Sequence, residues 1–171
     1  MPSATRCLPF RDAGHARVAV LDVDYHHGNG TQSIFYERDD VFTVSIHGDP
    51  RTEYPFFLGH ADERGAAAGA GFNLNLPLPR GTGFAAWREA LQFGLRAIAQ
   101  VGAQALVVSL GVDTFAGDPI SGFALKSSDY LRLGQDIAGA ALPTVFVFEG
   151  GYAVAEVGVN TANVIEGFSA G

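Results

Sequence analysis

Hydrophobic residues along this chain occur in short runs separated by longer amphipathic segments. Four runs are rich in β-branched residues and have the length of strands, at positions 17–24, 41–46, 105–110 and 144–148. Continuously apolar runs of this length are typical of parallel strands that are covered on both faces. A fifth and shorter run at 73–76 precedes a turn at Pro77–Pro79 and predicts one more strand.

The amphipathic segments predict helices between these strands. The clearest helix is predicted over 83–101, because Phe84, Trp87, Leu91, Leu95 and Ile98 recur on one face. Shorter helices are predicted over 31–36, from a Ser127 or Ser128 cap to about residue 141, and over 154–168. Regular alternation of strand and helix predicts an α/β domain with a parallel sheet and right-handed crossovers.

The most unusual polar residues follow the ends of the four long strands. They are Asp22, Asp24, His26 and His27 after the first strand, Ser45 and His47 after the second, Asp113 after the third, and Glu149, Gly150, Gly151 and Tyr152 after the fourth. Sites in open parallel sheets form beyond the carboxyl ends of the strands. We therefore expect these residues to meet on one rim of the sheet.

Three of these residues have the chemistry of metal ligands. Asp24 and His26 are two positions apart at a strand end, so we expect their side chains to point the same way. Asp113 would supply a third ligand, and three protein ligands leave one position open, as catalytic zinc requires. Iron(II) and manganese(II) also suit an oxygen-rich shell.

Each of these residues also has an ordinary structural explanation. An Asp-x-His pair occurs in turns and salt bridges, and Asp113 alone fits a helix cap or a turn. The joint arrangement favours a metal, because burying Asp22 and Asp24 after an apolar strand is costly unless a cation compensates their charge.

The composition of the chain argues against nucleic acids and membranes as its binding partners. The 171 residues fit one domain, and a net charge of −7 without any run of Lys or Arg argues against DNA or RNA. Cys7 is the only cysteine, which excludes an intrachain disulfide. The apolar runs fall far short of the roughly 20 residues of a membrane span, and the start has no signal-peptide core. We expect a cytoplasmic protein without a membrane partner.

Four separated motifs carry a family resemblance. They are DVDYHHGNG (22–30), TVSIHGDP (43–50), SLGVDTFAGDPI (109–120) and EGGY (149–152). In this order and spacing the chain resembles the histone deacetylase and acetylpolyamine amidohydrolase superfamily from about residue 17 onward. Asn29 and the loop YPFFLGHADERG (54–65) are most similar to the bacterial acetylpolyamine amidohydrolases. The resemblance implies a three-layer arginase/deacetylase-like α/β fold, with a parallel sheet flanked by helices and truncated at its N-terminal side.

The resemblance also implies a role for individual residues. Zinc would be held by Asp24, His26 and Asp113, and the oxyanion would be stabilised by the Tyr152 hydroxyl. A structural monovalent cation, usually potassium, would be held by Asp22, Ser45 and Ile46 with the backbone of Asp24 and His26. The substrate tunnel would be lined by Tyr54 and Ile120, with Gly150 and Gly151 positioning Tyr152.

The implied reaction is hydrolysis of the acetamide of an acetylated polyamine or acetyl-lysine by metal-activated water. Members of the family place a His-His pair, which supplies the general base, upstream of the first motif. Here His15 is the only histidine before Asp22, so we interpret 17–171 as the C-terminal half of the domain and 1–16 as a non-matching segment. Loss of a general base typically costs about 10²–10⁴-fold in rate, so we expect the chain alone to be weakened or inactive.

Two other functions remain as alternatives. The chain could be a non-catalytic remnant that binds metal and associates through an exposed sheet face, either with a partner chain or with a second copy as a homo-oligomer. An arginase-like hydrolase needs two metals, and it is disfavoured because the Asp113 motif has a single Asp at the ligand position.

Overall fold

The computed structural model describes Cys7, Pro9, Phe10 and residues 12–171, so the predicted segment 1–16 lies partly outside the described residues. Five strands form one parallel sheet in the order β3-β2-β1-β4-β5. The strands are β1 (Val18–Asp22), β2 (Val41–Gly48), β3 (Asn73–Leu78), β4 (Ala105–Leu110) and β5 (Thr144–Phe148). All five predicted strands are confirmed.

Within the described residues, four α-helices connect or follow these strands. They are α1 (Asn29–Phe35), α2 (Phe84–Gln100), α3 (Asp129–Ala138) and α4 (Val157–Ala170), and a short 3₁₀ helix (Ala67–Gly69) lies in the long loop after β2. The predicted apolar face of α2 packs into the core, where Trp87 and Leu91 are fully buried. No helix in the described part of the chain is long and apolar enough to cross a membrane.

Apolar side chains cover both faces of the sheet, which gives three layers. On one face, side chains of α2, α3 and α4 form the larger cluster, which includes Trp87, Leu133 and Val164. On the other face, Phe35 of α1 and the buried Cys7 pack against β1, β2 and β4. The expected parallel sheet flanked by helices is therefore confirmed.

The bounds of α3 and α4 differ from the prediction. Ser128 makes no side-chain capping bond, and Asp129 Oδ2 instead accepts the Lys126 N–H at 2.7 Å before α3. The helix thus begins directly after Ser128, as predicted, but the side-chain capping bond expected of a serine there does not form. The final helix α4 begins at Val157, three residues later than expected. Residues 154–156 form a turn instead, in which the N–H groups of Glu156 and Val157 both donate to the carbonyl of Ala153.

Burial is uneven across the sheet. Every residue of β1, β2 and β4 is buried, whereas no residue of the edge strand β5 is fully buried. Val145 and Phe148 of β5 expose 37% and 50% of their surface. An edge strand with exposed apolar side chains is a potential site for pairing with another strand.

Candidate active site

The segment that follows β1 leaves the sheet and bends beside the end of β4. In this bend the N–H of Tyr25 donates to Asp113 Oδ1 at 2.8 Å, and the N–H of His26 donates to Asp24 Oδ1 at 2.8 Å. Asp24 and His26 therefore lie beyond the strand, and our explanation by strand alternation was wrong. These hydrogen bonds between backbone and carboxylates bring the two side chains together.

The side chains of Asp24, His26 and Asp113 converge. One ligand atom from each residue lies within 4.8 Å of the others. His26 Nδ1 is 3.1 Å from Asp113 Oδ2 and 3.5 Å from Asp24 Oδ1. Asp113 has no exposed surface, whereas Asp24 and His26 are partly exposed. The structure thus brings together the three residues that the sequence indicated as metal ligands.

The electrostatics of this group require positive charge. Burial raises the pKa of Asp113 to about 6, and burial followed by the charge of Asp24 raises the pKa of Asp22 well above its usual range. Hydrogen bonds to Asp113 and then Asp24 raise the pKa of His26 to about 10 despite its burial. Without a metal ion, the neighbouring carboxylates therefore favour the protonated form of the His26 ring. Because buried carboxylates need compensation, these residues also fit a divalent cation.

Glycines let the backbone approach these carboxylates closely. The N–H of Gly150 donates to Asp24 Oδ2 at 2.9 Å, and its carbonyl accepts the Val112 N–H at 2.8 Å. A Cβ on Gly150 would lie 2.5 Å from Asp24 Oδ2 and 2.9 Å from Asp113 Oδ2. A Cβ on Gly111 would also overlap Asp24. The EGGY motif therefore needs glycine at position 150 for space beside the metal-ligand candidates.

An open cavity of about 610 Å³ lies directly above Asp24 and His26. Of the residues with a predicted role, it is lined by Asp22, Asp24, His26, Tyr54, Ile120, Gly150 and Tyr152. Tyr54, Ile120 and Tyr152 form its half-exposed rim. Gly151 is not among the lining residues, but it turns the chain beside Val112, where a Cβ would lie 2.7 Å from Val112 Cγ2.

The cavity also involves residues to which the sequence gave no role. Its other lining residues are Gly28, Asn29, Gly30, Thr31, Ser109 and Glu149. Most of these residues lie within the four sequence motifs that carry the family resemblance. Membership in a motif was therefore the sequence feature that could have indicated their place in the cavity. The carboxylate of Glu149 accepts a hydrogen bond from Ser109 Oγ at 3.2 Å, which joins β4 to the EGGY motif.

The residues assigned to a monovalent cation lie deeper in the sheet. Asp22 and Ser45 are neighbours in register on β1 and β2, and both border a small internal cavity beside His27. Ser45 Oγ lies 3.1 Å from His27 Nδ1 and 2.8 Å from His47 Nδ1. Ile46 is fully buried in the core. The cation role of these residues stays a prediction.

His47 is fully buried, although we expected it on the rim. Burial lowers the pKa of His47 to about 4 and the pKa of His27 to about 3, so both rings are neutral at pH 7. His47 Nε2 donates to the carbonyl of Gly59 at 2.9 Å, which anchors the long loop after β2. Gly59 has φ +104 and no room for a side chain there, so the loop needs glycine at this position.

Comparison with known proteins identifies the family of this chain. Residues 4–168 match the histone deacetylase domain family. Acetylpolyamine amidohydrolase 2 of Pseudomonas aeruginosa is 60% identical over 166 residues, which cover 97% of this chain and 48% of that protein. The acetylpolyamine amidohydrolase of Mycoplana ramosa is 56% identical over 156 residues, which cover 91% of this chain and 46% of that protein. The chain thus spans about half the length of these curated relatives.

Solved structures agree with the fold. The acetylpolyamine aminohydrolase from Burkholderia pseudomallei matches with a TM-score of 0.95 at 47% identity, covering 98% of this chain and 49% of that one. A histone deacetylase homologue from Aquifex aeolicus matches with a TM-score of 0.88 at 30% identity, covering 96% of this chain and 45% of that one. These matches confirm the arginase/deacetylase-like fold class.

The proposed division at residue 17 stays a prediction, and the family match itself begins at residue 4. Sequence, fold and the converging motif residues agree that this chain belongs to the histone deacetylase family, with bacterial acetylpolyamine amidohydrolases among its near relatives.

Proposed function

We propose that this chain forms the metal-binding part of a zinc-dependent deacetylase site that hydrolyses the acetamide of an acetylated polyamine or acetyl-lysine. The observation that carries the proposal is the convergence of Asp24, His26 and Asp113 within 4.8 Å beneath a cavity rimmed by Tyr152. One imidazole and two carboxylates are a donor set that suits zinc and also accepts iron(II) or manganese(II).

The chemistry divides between the metal and the protein. A divalent ion bound there supplies Lewis-acid polarisation of a carbonyl and lowers the pKa of water. The hydroxyl of Tyr152 would donate a hydrogen bond to the oxyanion that develops on the substrate. Partial burial and the charges of Asp24, Asp113 and Asp118 raise the pKa of Tyr152, so its phenol keeps the proton that it must donate.

The walls of the cavity favour an acetylated amine that carries positive charge elsewhere. Its lining combines the carboxyl-bearing residues Asp22, Asp24 and Glu149 with the apolar rim residues Tyr54 and Ile120. An apolar rim suits an alkyl chain, and acidic residues attract an ammonium group. The names of the relatives, acetylpolyamine amidohydrolases, agree with this substrate class.

A monovalent cation between Asp22 and Ser45 belongs to the same proposal. Asp22 is 5% exposed, and its carboxylate lies in the field of Asp24, Glu149 and Asp113. A cation there would offset this repulsion and stabilise the end of β1 that carries the site. Potassium is the ion that we propose, because the sequence motifs resemble those of proteins that hold it.

The tyrosine offers a direct test of this function. We expect Tyr152→Phe to lower the rate of acetate release from N-acetylputrescine by about 10²–10³-fold, as loss of an oxyanion donor does elsewhere. Zinc stoichiometry should not change. A Tyr36→Phe variant is the control, because Tyr36 lies outside the cavity that Tyr152 borders. If zinc-loaded protein hydrolyses neither an acetylpolyamine nor an acetyl-lysine peptide, alone or in the complex described next, the proposal is wrong.

A second function, association, is favoured by the exposed edge of β5. We propose that this edge binds a segment equivalent to the half of the relatives that this chain does not span, supplied by the same polypeptide or by another. The chain covers 46–48% of its curated relatives. Val145 and Phe148 are left exposed at the one edge where an additional strand would extend β5. Such a segment would also supply the general base that we did not find in the sequence.

Co-expression tests the association. We expect the chain to co-purify at one-to-one ratio with the uncovered half of the Pseudomonas aeruginosa relative, and Val145→Lys to weaken this complex by at least about tenfold, since it places a charge on the pairing edge. The control is Ile34→Lys, because Ile34 is similarly exposed but lies on α1. The proposal is contradicted if the chain forms only homo-oligomers or does not bind the added half.

A further inference from the structure

Asp118 lies in the loop between β4 and α3 and is only 8% exposed. Each of its carboxylate oxygens accepts one backbone N–H. Oδ2 accepts the N–H of Tyr152 at 2.7 Å, and Oδ1 accepts the N–H of Ile120 at 3.1 Å. A single carboxylate therefore joins two rim residues that come from different loops.

The neighbours of Tyr152 are held by other groups. The N–H of Glu149 donates to the carbonyl of Leu110 at 2.9 Å, and the N–H of Gly150 donates to Asp24 Oδ2. Gly151 contributes no side chain that could pack. The bond to Asp118 is therefore the hydrogen bond that holds the main-chain N–H of Tyr152 itself.

Asp118 is itself held in place. Its own N–H donates to the carbonyl of Phe115 at 3.0 Å, and the N–H of Ala116, two residues earlier, donates to the carbonyl of Leu125 at 2.8 Å. The carboxylate thus sits on a tightly hydrogen-bonded turn. Hydrogen bonds from amides to an ionised carboxylate are among the stronger ones in proteins, so this turn can restrain both loops.

We propose that Asp118 is a positioning residue for the reaction, because its carboxylate holds the main chain of Tyr152 and Ile120 and so fixes the hydroxyl and the apolar wall of the cavity relative to one another. The inference rests on the proposed role of Tyr152 in catalysis. A displacement of about 1 Å in a reacting group can cost about 10²-fold in rate, so the restraint has a measurable consequence.

Substitutions at Asp118 test this role in zinc-loaded protein, using the form that shows turnover. We expect Asp118→Ala to lower kcat by about 10- to 100-fold. Asp118→Asn should lose less than Asp118→Ala, because its amide oxygen still accepts one N–H. It should stay below wild type, because its NH2 group places a donor against the other N–H. The matched control is Asp129→Ala, which also removes a 2.7 Å carboxylate–amide bond but lies outside the cavity. We expect it to change kcat by less than about twofold, as surface substitutions away from a site do.

A double-mutant cycle separates positioning from a general structural effect. If Asp118 acts through Tyr152, its effect on kcat should shrink to less than about threefold in the Tyr152→Phe background. An equal loss in both backgrounds would overturn the proposal.

Amide hydrogen exchange at Tyr152 gives a readout that does not need activity. We expect exchange at this amide to accelerate at least about tenfold in Asp118→Ala and not in Asp129→Ala, since only the first variant removes its acceptor. Unchanged exchange at Tyr152 would overturn the positioning role whatever the kinetics. If the wild-type chain shows no turnover either alone or in the complex with the added half, the proposed function fails, and the exchange result alone decides whether Asp118 restrains Tyr152.

Discussion

Replacing Asp113 by alanine is expected to weaken zinc binding by more than about 100-fold, because removal of an outer-shell partner alone costs about 10–100-fold. Asp113 would supply one of three ligand atoms, and it also accepts the N–H of Tyr25 that shapes the bend carrying Asp24 and His26. A competition titration against a chromogenic chelator measures the affinity, and metal analysis of dialysed protein measures the stoichiometry.

Asp113→Asn separates the loss of a ligand from damage to the fold. The asparagine keeps an oxygen for the Tyr25 N–H but removes the charge, so we expect it to fold and to bind zinc poorly. In Asp113→Ala the buried Tyr25 N–H loses its acceptor, and the free energy of unfolding should fall by about 1–3 kcal/mol in addition. Unchanged zinc stoichiometry in both variants would remove Asp113 from the site.

The second large effect is expected at Gly150. In Gly150→Ala the new methyl group would press on the carboxylates of both Asp24 and Asp113. The free energy of unfolding of the metal-free protein should fall by about 1–3 kcal/mol, as overpacking of a tight interior usually does. Zinc affinity should fall as well, because the two carboxylates must move apart. Chemical denaturation and the same chelator titration measure both quantities.

Gly158 provides the matched control for this substitution. It lies in α4, and nothing lies within 4 Å of a Cβ placed there. Because alanine favours a helix over glycine by about 0.5–1 kcal/mol, Gly158→Ala should be neutral or stabilising and should keep zinc binding. A Gly150→Ala protein as stable as wild type and with full zinc affinity would show that the backbone at 150 does not need to approach the carboxylates.

The sheet could be predicted because each strand is marked by a run of apolar residues at its own position in the sequence. Apolar runs at β1, β2 and β4 mark buried parallel strands, whereas the similar run at β5 forms an edge strand with no fully buried residue. The rule that sites form at the carboxyl ends of the strands placed Asp24, His26 and Asp113 together. Helix ends were less predictable. Ser128 has the right chemistry for a cap, but the bond that forms there uses Asp129 instead.

The finer arrangement of the site was not predictable, because it depends on contacts between distant loops. Asp118 accepts a hydrogen bond from Tyr152, which is 34 residues away in the sequence, and the local pattern of apolar residues does not predict such a bond. The strand β2 extends to Gly48, two residues beyond the prediction, and all of its residues are buried, so His47 is buried by its place in an interior strand rather than by its chemistry. The convergence of Asp24 and His26 was expected for the wrong reason, since hydrogen bonds in the bend after β1 produce it.

The central claim is that one ion is shared by residues from the ends of two neighbouring strands. A crystal structure of zinc-loaded protein, with anomalous scattering measured at the zinc edge, tests it most directly. The expected result is one strong peak, about 2.0–2.2 Å from His26 Nδ1 and from one oxygen each of Asp24 and Asp113. Zinc bound elsewhere, or bound by Asp24 and His26 with Asp113 turned away, would contradict the claim.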